Sequence, residues 1–339
     1  MDRIAFIINE TFVYWSFIIL TLAAVVAICF FLAFYLRKSG NGLAAACLIP
    51  LSVLTSLYAA RWIHWYCSAD SYASMEAAMA DLTQGNFALM GVFAATIVCA
   101  CVLRLLRICG NLPEMLDCMA LGAAAGISVG RLASLFNASD RGMLLEGYTE
   151  LPLVYPVSNA VTGAVEYRLA TFMFQSIATG IIFLVLAVVW LLGQRKQKLK
   201  DGDTTLLFLL FYGACQVLLD STRYDSMFMR SNGFISIVQI LGAIAIAIPL
   251  AIFSVRMVKA MRFRIWQLPI WVAIAGCLGG AGYMEYHVQR HGDQANFAYS
   301  VMLACLTGVV VLVLVIGILA MIRENREMEA EAELEAIGE

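Results

Sequence analysis

The apolar positions of this chain fall in long unbroken runs, with neither the alternation of a half-buried strand nor the polar face of an amphipathic helix. Runs of that length predict helices surrounded by lipid. The first, Phe12 to Leu36, ends at Arg37-Lys38. It is too long for a signal-peptide core and carries its basic residues behind it, so it is expected to be a retained span. The second, Leu43 to Tyr66, closes on Arg61-Trp62-Ile63-His64-Trp65-Tyr66, an aromatic cluster of the kind found where a span meets headgroups. Further runs cover Phe87 to Leu106, a glycine-rich stretch up to Val129, Ala170 to Leu192, Thr204 to Leu219, Phe234 to Val255, Ile265 to Tyr283 and Phe297 to Ile322. The pattern therefore predicts about nine spans. Between them, Met1 to Thr11 reads as a short polar lead and Asn137 to Tyr167 as the longest polar connection. Arg323 to Glu339, alternating glutamate and alanine, reads as a solvated continuation of the last helix.

Composition agrees: 62% of residues are hydrophobic and only 14% charged, where globular domains carry about a quarter. The predicted fold is all-α, a polytopic integral membrane helical bundle. A net charge of −2 gives no footprint for nucleic acid. The ten cysteines lie mostly inside apolar runs, and none forms a CxxC pair, so they read as packing residues and not as metal ligands. With the amino terminus outside, the inner ends collect Arg37-Lys38, the Arg195 to Lys200 run, Arg256 to Arg264 and Arg323, as the positive-inside rule requires. Gly279-Gly280-x-Gly282 reads as a close-packing helix face. His287 and His291, at i and i+4, lack a clear third ligand. No metal and no cofactor is expected.

Candidate chemistry centres on Gly130 to Gly142, which closes the glycine-rich span with Arg131 and runs into Asn137, Ser139 and Asp140. An arginine near a bilayer is costly and commonly faces a polar cavity. Arg61, Arg131, Arg168 and Arg223 all fall at predicted outer ends of different spans, each beside a polar cluster. They either make independent headgroup contacts or converge on one anion, for which a phospholipid phosphate is the obvious choice at that level.

These residues carry a resemblance. Gly130-Arg131-Leu132-…-Phe136-Asn137-…-Gly142 resembles the signature loop of the bacterial prolipoprotein diacylglyceryl transferase family, Gly-Arg-x-Gly-Asn-Phe-x-Asn-x-Glu followed by glycine. In the family's order, Tyr14 resembles the tyrosine of its first helix and Ala59-Ala60-Arg61 its Gly-Ala-Arg. Arg168 to Gln175 is similar to its Arg-His-Pro-Ser-Gln-Leu-Tyr-Glu, and Tyr212-Gly213 through Gln216, Asp220 and Arg223 to its Tyr-Gly-x-x-Arg-…-Glu-…-Arg. The resemblance runs from about Phe12 to Val255. It implies a seven-span domain over residues 1–264; two additional spans at 265–322 fall outside it, and the charge asymmetry makes 323–339 an acidic cytoplasmic tail. It also implies transfer of the diacylglyceryl group of phosphatidylglycerol, or another anionic phospholipid, to the lipobox cysteine of a precursor protein in the bacterial cytoplasmic (inner) membrane.

The residues so implied are Arg131, Asn137, Asp140 and Asp220 for catalysis, and Tyr14, Arg61, Ser134, Ser139, Gly142, Arg168, Tyr212, Gln216 and Arg223 for substrate. The thiol must ionise, and an unperturbed cysteine pKa of about 8.5 makes a base useful; Asp140, Asp220, Glu150 and His64 are the candidates. Several positions depart from the family. Its histidine falls near Leu89, its arginine after Tyr-Gly is Gln216, its loop glutamate is Ser139 with Asp140 next, and an asparagine is Ser134. Three readings follow: an enzyme with relocated chemistry, a catalytically silent paralogue that binds phospholipid or precursor, or a shifted third span. No internal repeat of the kind that builds many transporters is evident.

Overall fold

In a computed structural model, residues 4–8, 11–68, 72–80, 87–137, 139–145, 154–158, 163–196, 199–229, 232–291 and 294–338 are described. Two strands open the chain, β1 (Ile4–Ile8) and β2 (Thr11–Tyr14), followed by α1 (Trp15–Lys38), α2 (Gly42–Cys67), the short α3 (Met75–Ala80), α4 (Leu89–Leu105) and α5 (Leu112–Gly130). A 3-10 turn at Arg131–Leu135 leads to β3 (Val154–Ser158) and β4 (Val165–Leu169). Then come α6 (Thr171–Lys196), α7 (Asp203–Ser221), β5 (Phe228–Met229), β6 (Asn232–Ser236), α8 (Ile237–Met261), α9 (Leu268–His291) and α10 (Ala295–Gly338). Among the described residues, 8 helices are long and apolar enough to cross a membrane; α4, with 17 residues, is a shorter apolar helix. The chain is an all-α multi-pass membrane protein.

Two expectations need correction. Ile4–Ile8 is not a polar lead: it pairs antiparallel with Thr11–Tyr14, Ile7 opposite Phe12, directly before α1. The long connection after Asn137 contains the antiparallel pair β3 and β4, with Tyr155 opposite Arg168. The polar residues of that connection alternate with apolar ones over stretches too short to stand out beside the membrane runs.

The chain forms two compact units. The first comprises Met1–Val189, Asp201–Phe208 and Thr222–Val238. Its centre is α5, whose most apolar window is 56% buried, against 11% for α1. Small residues explain the close approach of α1 and α5. A Cβ on Gly122 would stand 2.5 Å from the Ala27 carbonyl oxygen, and one on Gly126 would stand 2.7 Å from the Ala27 Cβ. Without a hydrophobic drive between helices in lipid, such backbone-close van der Waals contact is what holds them. At the opposite end of α5 from Arg131, the buried Asp117 carboxylate accepts from the backbone N–H of Gly202 and from the N–H and hydroxyl of Thr205, each at 2.8 Å. It thereby caps the first turn of α7 from a neighbouring helix. Lys38 at the end of α1 pairs with Asp201 in the same region.

The second unit comprises Trp190–Lys200, Leu209–Ser221 and Gln239–Glu339. Here Gly213 and Gly242 bring α7 and α8 together: a Cβ on Gly213 would lie 2.7 Å from the Gly242 carbonyl oxygen. The close-packing face expected at Gly279-Gly280-x-Gly282 is not built. A Cβ on Gly279 or Gly282 would meet nothing within 4 Å among the described residues, and only one on Gly280 would come close to a neighbour, Cys305 Sγ, at 3.1 Å. The last helix runs unbroken through 44 residues, so the glutamate-rich tail continues it.

This difference is testable. Gly126→Val should lower the melting midpoint of the detergent-solubilised protein, since overpacking typically costs about 1–3 kcal/mol. Gly279→Ala meets open space and should leave the midpoint unchanged or slightly higher. Thermal melting of the two variants beside wild type checks this.

Candidate functional site

The site forms where three stretches far apart in sequence are stitched by backbone hydrogen bonds. Gly142 N–H donates to the Leu169 carbonyl at 2.7 Å, Leu169 N–H to Met143 at 3.0 Å and Leu145 N–H to Tyr167 at 2.9 Å, so residues 142–145 run beside β4. Gly142 also pairs with Arg223, and Tyr224 N–H donates to the Arg141 carbonyl at 3.2 Å. Only glycine fits at 142: a Cβ there would meet Thr171 Oγ1 at 2.5 Å and Leu169 Cβ at 2.8 Å. This stitching brings Arg131, Arg168 and Arg223 to one place.

At its centre lies the Asp140 carboxylate. Oδ1 accepts from Arg131 Nη1 at 3.1 Å and from Arg223 Nη1 at 2.9 Å, and Oδ2 accepts from the Ser134 hydroxyl at 2.8 Å. Ser139 Oγ is 3.5 Å from Ser134 Oγ. Asp225 supports the arrangement from outside: Oδ2 accepts the Asp140 backbone N–H at 2.7 Å and Oδ1 accepts Arg223 Nε at 3.1 Å. Asp140 reaches this position through a left-handed backbone, φ 57°, which aspartate tolerates better than most residues. Burial alone would raise its pKa, but the guanidiniums of Arg223 and Arg131 and the Ser134 hydroxyl hold it well below the usual carboxylate range. At neutral pH it is an ion and a poor proton acceptor.

The expected convergence of Arg61, Arg131, Arg168 and Arg223 takes a more divided form. Arg131 and Arg223 share one anion. Arg168 stands beside them, donating to the Gly142 carbonyl at 3.4 Å, but its Nε and Nη2 grip Glu166 and its plane lies 4.2 Å from the Tyr224 ring centre. Arg61 is buried among Tyr72, Phe87 and α3, its Nε donating to the Ala78 carbonyl. His64 meets the Tyr72 hydroxyl at 3.0 Å through Nδ1. Tyr14 ends β2 just before α1, and the next residue, Trp15, stacks on Phe136 of the loop. Tyr212, Gln216 and Asp220 belong to the part of α7 in the second unit, where Gln216 and Asp220 are buried. Leu89 starts α4. Glu150 and the His291 side chain lie outside the described residues. Among the described residues no three potential metal ligands gather.

Sequence reasoning missed Arg141. Only 1% exposed, it donates through Nη2 to the Ser134 and Asn137 carbonyls, both at 2.6 Å, and lies over Tyr155 at 3.9 Å and Phe172 at 4.6 Å. Its Nε and Nη1 are buried with no hydrogen-bond partner among the described residues, as is Asn137 Oδ1. Tyr155 in turn donates to the Leu135 carbonyl at 2.6 Å. Arg141 and Tyr155 thus hold the turn from which Ser134 and Asn137 project. An arginine in a polar loop carries no sequence mark that separates it from a solvated one.

Two outcomes follow. Arg141→Lys loses both the forked carbonyl contact and the ring stacking, so it should destabilise the protein about as much as Arg141→Ala, by roughly 2 kcal/mol in thermal melting. Asp140→Asn should cost about 3 kcal/mol at neutral pH, because two guanidiniums lose their anion. The depressed pKa fixes the sign of the pH dependence. The wild-type advantage is fully present above the unfolded aspartate value of about 3.9 and is lost as pH falls through the lower folded value. The gap between the two melting midpoints should therefore stay constant from pH 8 to 5 and close only below about pH 4.

A sequence profile of the family described as prolipoprotein diacylglyceryl transferase matches residues 3–255. Among relatives, the phosphatidylglycerol–prolipoprotein diacylglyceryl transferase of Parasynechococcus marenigrum is 26% identical over 197 residues, covering 56% of this chain and 68% of the relative. The protein of the same name from Finegoldia magna is 24% identical over 258 residues, 73% of this chain and 95% of its own length. That from Streptococcus suis is 30% identical over 117 residues, 34% and 42% of the two chains. The loop that carries Arg131, Asp140 and Gly142 lies within the matched residues, and the chain belongs to the prolipoprotein diacylglyceryl transferase family.

Proposed function

We propose that the protein transfers the diacylglyceryl group of phosphatidylglycerol to the lipobox cysteine of precursor proteins, at the outer face of a bacterial cytoplasmic membrane. The observation that carries this reading is the pair of guanidiniums, Arg131 and Arg223, fixed around a single carboxylate in the loop that resembles the family signature. Two preorganised cations around one oxygen anion are what a phosphoester leaving group requires. In the transfer, the cysteine sulfur forms a bond to the terminal glyceryl carbon. The bond from that carbon to the phosphate oxygen breaks, and glycerol phosphate leaves with the electron pair. The thiol proton departs with the solvent or the leaving group.

The geometry gives each residue a part. Arg131 and Arg223 take the phosphate charge, which shares or displaces the Asp140 carboxylate. Asp140 orders the two arginines and does not serve as the base. Asn137, whose buried Oδ1 lacks a donor among the described residues, accepts a hydroxyl of the glycerol headgroup. Arg168, already neutralised by Glu166, shapes the rim. The basic inner ends support an outside amino terminus, with residues 1–264 as the transferase region and 323–339 as a cytoplasmic tail.

A second reading, a paralogue that binds phospholipid or precursor without transfer, is favoured by Leu89 and Gln216. Leucine moves no proton, and glutamine brings no positive charge. One assay separates the two. The purified protein, phosphatidylglycerol and a lipobox peptide should yield a diacylglyceryl thioether by mass spectrometry. Arg131→Ala and Arg223→Ala should each reduce the rate about a hundredfold or more, and a peptide with serine for cysteine should give none. Binding of phosphatidylglycerol that depends on Arg131, without any thioether, would establish the second reading instead.

A further inference from the structure

The family match ends at residue 255, and α9 and α10 lie beyond it. Both are apolar spans, yet α9 keeps one carboxylate, Glu285, only 9% exposed. A carboxylate within a span costs a few kcal/mol on insertion scales and is retained where it has a task. Both of its oxygens are engaged. Oε2 accepts the Ser221 hydroxyl, and Oε1 accepts Gln289 Nε2 at 2.7 Å. From α10, the Tyr299 hydroxyl donates to the Ser221 carbonyl at 3.2 Å. Ser221 is the last residue of α7, so its carbonyl is one that the helix itself cannot satisfy. The added hairpin therefore grips one residue by its side chain and by its backbone.

That residue is the anchor of the segment that follows. Two positions on is Arg223, 6% exposed and tied to Asp140 and Asp225. Thr222 Oγ1 lies 3.2 Å from Thr171 Oγ1, and Tyr224 binds the Arg141 carbonyl. Where a short segment leaves a helix end to present a guanidinium, freedom at that end becomes misplacement of the guanidinium, and a misplacement near 1 Å can cost about a hundredfold in rate.

We propose that Glu285 and Tyr299 are positioning residues: acting through Ser221, the hairpin α9–α10 fixes the end of α7 and thereby sets Arg223 for the phosphate of the lipid. The proposal rests on the transferase reading for its kinetic consequence but not for its structural one.

The test uses the full-length protein in nanodiscs containing phosphatidylglycerol, with Glu285→Ala, Glu285→Asp and Tyr299→Phe. Hydrogen exchange of amides 219–225 should rise about tenfold in Glu285→Ala and in Tyr299→Phe, the equivalent of one lost hydrogen bond. Over the same variants the KM for phosphatidylglycerol should rise about tenfold with kcat changed less, and Glu285→Asp should recover part of both. A purely structural role would lower the melting midpoint and leave the KM at the wild-type value, which would overturn the proposal. So would unchanged exchange in the 219–225 segment. If wild type forms no thioether, the transferase reading fails separately. The proposal is then decided by exchange together with the Kd for phosphatidylglycerol, and an unchanged Kd in both variants overturns it.

Discussion

Two guanidiniums at hydrogen-bond distance from one carboxylate oxygen are the constraint from which the rest of the site follows. Arg131 and Arg223 would repel one another at this spacing, and at a membrane edge there is less water to screen them. The Asp140 carboxylate makes the arrangement stable, and the Ser134 hydroxyl and the Asp225 carboxylate fix its orientation. The chain accepts a left-handed backbone at Asp140 to put it there. A carboxylate held in this way and a phosphate monoanion are similar in charge and in their use of planar N–H donors. The site thus carries its own anion in the position that a lipid phosphate is proposed to share.

That cluster needs a rigid platform, and small residues provide it. Gly122 and Gly126 let α5 lie against α1 at backbone distance, which fixes where the helix ends and so where Arg131 begins. Beyond the helix the support changes from packing to hydrogen bonds. Gly142 lets the loop press against Leu169 and Thr171, and Arg141 fills the space under the turn, stacked on Tyr155 and Phe172. A buried arginine with two carbonyl partners and two rings is costly to assemble. Its presence beneath Ser134 and Asn137 is consistent with a loop whose shape matters more than its own stability.

Membership of the family and departure from its pattern meet in the same few residues. Arg131 and Arg223 hold one anion between them, while leucine at 89 and glutamine at 216 bring neither a titratable group nor a charge. The hairpin beyond residue 255 adds something the matched region lacks: a carboxylate and a phenol on the end of α7. Both contacts fall on Ser221, the last residue of that helix.

The sequence by itself determined the class of fold, because unbroken apolar runs have one physical solution in lipid: helices whose backbone bonds are satisfied internally. It also pointed to the loop from Gly130 to Gly142, through the order of Arg131, Asn137 and Gly142 and the later arginines. It did not show the strands. Had residues 165–169 been recognised as a strand, Glu166 and Arg168 would have fallen on one face as neighbours, and the charge on Arg168 would have been known to be taken. Nor did it distinguish the packed glycines of α5 from the open ones of α9, since both look alike as small residues in an apolar run. Only the tertiary structure decided that Arg131 and Arg223 share one anion, that Asp140 supplies it, and that Arg141 lies beneath. The longest of those pairings joins residues more than eighty positions apart, and no local pattern encodes which distant charge will close a hydrogen bond.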